Sequence, residues 1–185
     1  MRKTLAASAV LLMCVLSACS SGSGGSDEAP TGDKPDSSKD SAAFDPCKAI
    51  TPAEAEAVLG YPVVVSETPG GGCSWGNETD PRLASLSVSV IGDANVNGGL
   101  ESAKAGTTAV LDGEAEDVSG LGDGAFLVVG PLKGGGGESI QAQGSILSGT
   151  QMITVGITQL GGAAVTEDAV RAQAEAGMKL VGTKL

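Results

Sequence analysis

The chain has 185 residues, 41% of them apolar, with 29 Gly, no His and only four aromatic residues (Phe 2, Trp 1, Tyr 1), a size that predicts one folded domain. No side chain other than His titrates near neutrality without a perturbing environment. Its absence therefore excludes His-based acid–base catalysis, nucleophile–His–acid triads and the commonest zinc and copper sites. Eleven basic against 22 acidic residues give a net charge of -11, which repels nucleic acid, and four aromatics cannot build a base-stacking platform.

The N-terminus reads as an address. Arg2 and Lys3 precede an apolar run of 12 residues from Leu5 to Leu16, and small residues follow at Ser17 and Ala18, the pattern of a signal peptide over residues 1–18. The run is shorter than the roughly 20 apolar residues that span a bilayer, and no later stretch approaches that length, so no transmembrane helix is predicted. Leu16-Ser17-Ala18-Cys19 resembles the bacterial lipobox. In lipobox proteins the Cys thiol receives a diacylglycerol, the leader is cut before it, and the new amine is open to acylation, for example by palmitate. The alternative is an ordinary secretory leader with a Cys near the cut. Two or more buried acyl chains give stable anchoring. The expectation is thus a lipid-anchored protein attached through Cys19 to the outer, extracytoplasmic face of the cell membrane.

Removing Arg2 and Lys3 leaves nine basic against 22 acidic residues, a mature net charge of -13. Residues 19–43 read as the lipidated Cys and a disordered tether, since Ser20–Ala43 is almost entirely Ser, Gly, Pro, Asp and Lys. A flexible chain of 24 residues spans about 25–30 Å, enough to hold a small domain clear of lipid headgroups. Cys14 leaves with the leader and Cys19 is taken by lipid, so the domain over 44–185 keeps one possible pair, Cys47 and Cys73. Outside the cytoplasm two such cysteines are expected to form a disulfide, and a redox-active pair would usually be Cys-x-x-Cys.

Within the domain, Thr51-Pro52-Ala53-Glu54 predicts a capping box opening a short helix through Leu59 that ends at Gly60. Tyr61–Glu67 reads as a strand, and Pro69-Gly70-Gly71-Gly72 as a turn into Cys73-Ser74-Trp75, with Cys73 and Trp75 on the core face. Ser85–Val90 alternates strictly, placing Leu86, Val88 and Val90 inward. A short helix over Leu100–Lys104, strands over Ala125–Val129, Ser139–Leu147 and Met152–Thr158, and a loop tip at Gly134–Gly137 follow. Ser148-Gly149-Thr150-Gln151 suits a hairpin connection. Thr166 caps a final helix with Glu167 and Asp168 in its first turn and a stripe of Val170, Ala174, Met178 and Val181. The fold class expected is α+β, an antiparallel sheet with helices packed on one face.

Asp45-Pro46-Cys47, Thr51-Pro52-Ala53-Glu54, Cys73-Ser74-Trp75 and Gly120-Leu121-Gly122-Asp123-Gly124-Ala125, in that order, resemble the actinobacterial lipoproteins of the domain of unknown function 3558 family. The chain departs from that pattern at Lys48-Ala49-Ile50, where Leu residues are preferred. The resemblance implies a lipid-anchored extracytoplasmic domain with a disulfide, and no activity.

Few motifs suggest chemistry. Gly120-x-Gly122-x-Gly124 superficially matches a dinucleotide loop, but the following Phe126-Leu127-Val128-Val129 reads as a strand where that loop needs a helix, so it is taken as a tight turn stabilised by Asp123. Asp93-x-Asn95-x-Asn97-Gly98 matches the start of a calcium loop, with Glu101 as a substitute for the closing carboxylate, yet Lys104 stands at the twelfth position and the expectation is no metal. Asp112, Glu114, Glu116 and Asp117 form an acidic run, read as a solvated loop or strand face. Asn77-Glu78-Thr79 is a coincidental sequon, and Ser102-Ala103-Lys104 has the wrong spacing for a Ser–Lys pair. No catalytic residue and no cofactor are assigned.

The function expected is a non-enzymatic partner- or ligand-binding domain, with a protein or a small ligand as its partner and no nucleic acid. The alternative is a calcium-responsive or substrate-delivering accessory lipoprotein. An apolar groove would favour a small ligand, and a flat apolar patch a protein.

Overall fold

The structure, a computed structural model, describes residues 43–95, 98–133, 139–159 and 166–185. The expected signal peptide, Cys19, nearly all of the tether and the Gly134–Gly137 loop tip lie outside the described residues. Among the described residues no helix is long and apolar enough to cross a membrane.

The chain opens with two short helices, α1 (Pro46–Ala49) and α2 (Pro52–Leu59). Asp45 caps α1 by accepting from the amides of Cys47 and Lys48. Thr51 and Glu54 close the expected capping box on α2, and Gly60 ends it in the left-handed region at φ 87°. Strands β1 (Val64–Thr68), β2 (Gly72–Gly76) and β3 (Ser85–Asp93) follow, then α3 (Gly99–Val110), a short β4 (Ala115–Asp117), β5 (Gly124–Pro131), β6 (Ile140–Ser148), β7 (Gln151–Thr158) and α4 (Glu167–Gly182). All strands pair antiparallel in one open sheet of order β1-β2-β3-β7-β6-β5-β4.

The main core lies on one face of this sheet. Leu86 and Val88 of β3 and Ile153, Val155 and Ile157 of β7 point into it as their alternation requires, with Cys73 and Trp75 of β2 beside them. The stripe of α4, Val170, Ala174, Met178 and Val181, covers these residues together with Ala55 and Leu59 of α2. Gly144 of β6 makes the close approach possible, because a Cβ there would collide with the sulfur of Met178. Trp75 is fully buried in this core, where the sequence placed it.

The sheet is therefore α+β and antiparallel, but helices flank both faces. β3 ends in the middle of the sheet and β4 begins at its far edge, so the connecting segment must cross β7, β6 and β5. It does so on the side away from α4: Phe126 and Val128 of β5 pack there with Leu111, Leu100 and Ala103 in a second, smaller core. Helices on one face describe α1, α2 and α4 only. α3 also runs longer than the expected Leu100–Lys104, to Val110, and β4 was not anticipated as a separate strand.

The Cys47–Cys73 disulfide ties α1 to β2 across a sequence separation of 26, with the Cα atoms 5.3 Å apart. Closing that loop in the unfolded chain is worth about 3.5 kcal/mol on the chain-entropy account, so reduction should lower the unfolding free energy by up to that amount, and the denaturant midpoint with it, without changing the folded secondary structure. Chemical denaturation with and without reductant measures it, and an unchanged midpoint would contradict the expectation.

A second constraint joins the chain ends of the helical layer. Lys184, just past α4, reaches the Glu54 carboxylate at 2.7 Å, and the Lys184 ammonium and the Thr51 amide hold that carboxyl down from 4.5 to about 2. The folded value lies below the unfolded one, so this contribution to stability is complete above about pH 4.5 and is lost as pH falls toward 2. In Glu54→Gln, acid unfolding should be less steep across that window than in the natural protein. Equal pH dependence of the two melting curves would show that Glu54 does not carry it.

Candidate functional site

The residues that suggested metal binding are drawn into other bonds. Asp93 closes β3 and its Oδ1 accepts the Asn95 amide at 2.9 Å, forming an Asx turn, while Asn97 lies outside the described residues. Glu101, in the first turn of α3, faces Lys104 at 3.2 Å, and Lys104 also reaches Asp117 at 2.6 Å. Hydrogen bonds that the Lys104 ammonium donates, first to Asp117 and then to Glu101, raise its pKa, fixing a cation where the calcium loop would need its closing carboxylate. Among the described residues no three His, Cys, Asp or Glu side chains are grouped to hold a metal.

The acidic run has a structural use. β4 alternates, so Glu116 and Asp117 point to opposite faces; Glu116 pairs with Arg171 of α4 at 2.9 Å and Asp117 with Lys104 of α3 at 2.6 Å. One edge strand thus pins a helix on each side. Asp112 and Glu114 are exposed.

The glycine motif is a clasp. Gly120 and Gly122 take positive φ, 79° and 54°, and a Cβ on Gly122 would overlap the Leu147 carbonyl. That closeness lets the Asp123 amide donate to Leu147 O at 2.7 Å, while Asp123 Oδ2 accepts the Gly149 amide, also at 2.7 Å. Asp123 therefore binds the turn before β5 to the β6–β7 hairpin, the turn-stabilising role expected of it. Asn77 is likewise a turn residue, its Oδ1 accepting from the Thr79 and Asp80 amides.

The surface left for binding is one the sequence did not single out. Opposite α4, no helix among the described residues packs over the β1, β2 and β3 part of the sheet, because α3 packs chiefly against β5 and β6. Among the described residues, register places Val64, Ser66, Thr68, Ser74, Ser85, Ser87, Ser89, Thr154 and Thr158 on this face, with Gly72, Gly76 and Gly156 between them and no ionisable side chain. Where this floor meets α3 there is a cleft of about 260 Å³. Ser102, Ala103, Gly106 and Thr107 form its helical wall, Ser145, Met152 and Thr154 its floor, and Ile91 and Gln143 complete it. Gln143 Nε2 donates to Thr107 Oγ1 at 3.2 Å, linking wall to floor. The lining combines hydroxyls and an amide with apolar surface, and its Thr107, Ser145 and Met152 are themselves buried. The outward Ser at 85, 87 and 89 was the available signal; it reads as an ordinary solvated strand face until the register shows how many neighbours share it.

These features define an α+β domain built on an open antiparallel sheet, with one disulfide and a neutral cleft between a crossover helix and the sheet. The chain belongs to the family described as protein of unknown function (DUF3558), whose model matches residues 14–130. The match takes in both disulfide cysteines and the glycine clasp, and stops before β6, so part of the cleft floor lies beyond it. No curated protein matches the chain.

With Glu101 held by Lys104, several millimolar calcium should leave the melting temperature of the domain unchanged, since a ligand that binds the folded state raises it by mass action. A calcium-dependent rise that disappears in Asp93→Ala would reinstate the loop as a metal site.

Proposed function

We propose that the protein is an actinobacterial lipoprotein, anchored through Cys19 to the outer face of the cell membrane, whose extracytoplasmic domain binds a ligand at the α3 cleft without catalysing a reaction. The observation that carries this reading is the division of the cysteines: Cys47 is bonded to Cys73, and Cys19 stands alone in Leu16-Ser17-Ala18-Cys19. A disulfide suits an oxidising compartment, and the lipobox supplies the route there. The tether of Ser20–Ala43 then gives the domain a reach of about 25–30 Å from the membrane. A chain without His, whose acidic residues at β4 are paired to helices, supports binding rather than turnover. The calcium-responsive alternative is weakened by the Lys104–Glu101 pair.

Fractionation of cells producing the natural chain and Cys19→Ser tests the anchor. The natural chain should sediment with membranes and carry a lipid mass increment on its first mature residue, and Cys19→Ser should keep its leader or appear in the soluble fraction. Natural protein found free in the medium without added lipid would overturn the proposal.

A further inference from the structure

We propose that the cleft between α3 and the open sheet face binds an uncharged, hydroxyl-rich glycan, with a sugar ring in the cleft and the adjoining chain on the Ser/Thr floor. This inference rests on the binding-domain reading above and names its ligand class.

The first argument is charge. The mature chain carries a net charge of -13, yet the cleft and the floor contain no ionisable side chain. A charged ligand group seated there would lose water and gain no counter-charge, a cost that excludes phosphorylated, carboxylated and ammonium ligands. The second argument concerns peptides. Strand addition needs open backbone groups, and on β3, β7 and β6 these are already used by neighbouring strands on both sides, leaving only side-chain groups to bind with. The third concerns lipid chains. Met152 is already buried and Ile91 only partly exposed, so an alkyl chain would find little apolar surface left to cover there.

A sugar ring meets all three conditions. It is neutral, it presents hydroxyls that both donate and accept, and one of its C–H faces suits the exposed Ile91. The floor is arranged to accept: Ser85 Oγ donates to Thr158 O at 3.2 Å and Ser87 Oγ to Gly156 O at 3.4 Å, so these protons are used within the sheet and the oxygen lone pairs remain for incoming O–H donors. Gly72, Gly76 and Gly156 keep this floor low. The cleft volume of about 260 Å³ is below the range of about 300–1,000 Å³ typical of drug-sized sites, the scale of a sugar ring rather than a large ligand.

The test uses the full mature chain in detergent against an array of short uncharged oligosaccharides, with uronate-bearing and phosphorylated ones as the anionic set. Gly106 lines the cleft, is exposed, and has no atom within 4 Å of where its Cβ would lie, so Gly106→Glu puts a charge at the site in a chain that should fold. Ser102→Glu does so from the same wall, and Ala172→Glu, on the exposed side of α4, adds the same charge far from it. The natural chain and Ala172→Glu should bind uncharged oligosaccharides alike, and both cleft variants should weaken that binding at least tenfold with melting temperatures held. Binding to no uncharged oligosaccharide, preference for the anionic set, or binding indifferent to both cleft variants would overturn the inference. A chain that fractionates with membranes yet binds no glycan removes this inference and leaves the anchor; an unlipidated chain that binds glycan does the reverse.

Discussion

The connection from β3 to β4 governs the rest of the architecture. β3 pairs with β7 near the middle of the sheet, whereas β4 lies at the edge beyond β5. Strands about 4.8 Å apart put those two positions about 19 Å from each other, a distance on the scale of a 12-residue helix at about 18 Å. One face is already taken by α4, which follows β7 directly and must bury its own stripe, so the crossing falls to the other face. From this follow the second core at Phe126 and Val128, the two-sided burial of β5, and a step where α3 ends and the bare floor begins. The cleft is that step. It exists because a helix long enough to make the crossing is too narrow to cover all seven strands.

The two sheet edges are protected differently. β4 is three residues long, carries Glu116 and Asp117, and has both acids tied to helices, so it offers little to a passing strand. β1 is five residues long with Val64 and Val65 half exposed, bounded by Pro62 before it and Pro69 after it. The prolines limit how far pairing could extend along that edge, because neither can donate to a ladder.

How much of this could be read in the sequence depended on whether a pattern had a single interpretation. Strict alternation over Ser85–Val90 states both a strand and which face is buried, and the structure keeps that assignment through to the packing of Leu86 and Val88. Thr51 with Glu54, and Thr166 before two acids, are equally local signals, and both helices start there. The face of α3 was harder. Its evidence lay in Phe126-Leu127-Val128-Val129, an unbroken apolar run that a one-sided sheet has no use for and that signals burial on both faces. Read only as a strand, it concealed the second layer. The end of α3 was obscured by Gly106, Thr107 and Thr108, poor helix formers held helical by tertiary contacts such as the Gln143–Thr107 bond. β4 is three residues of acid-rich chain, and its strand character comes from pairing with β5 rather than from its composition. The neutral floor involves residues from four strands and needs the register before it can be seen at all.

The placement of charge completes the functional picture. Every Lys and Arg among the described residues has a partner within the chain: Lys48 with Asp45, Arg82 with Asp80, Lys104 with Asp117, Arg171 with Glu116, Lys179 with Glu175, Lys184 with Glu54, and Lys133 with the Thr108 carbonyl. Such surface pairs contribute little to stability individually. Their effect on recognition is larger, because each of these cations is already next to an anion or carbonyl, and the unmatched charge among the described residues is negative. An anionic polymer meets no unpaired cation among the described residues, and the repulsion falls off over about 8 Å at physiological ionic strength. The uncharged floor is the part of the described surface that neutral matter approaches without an electrostatic cost.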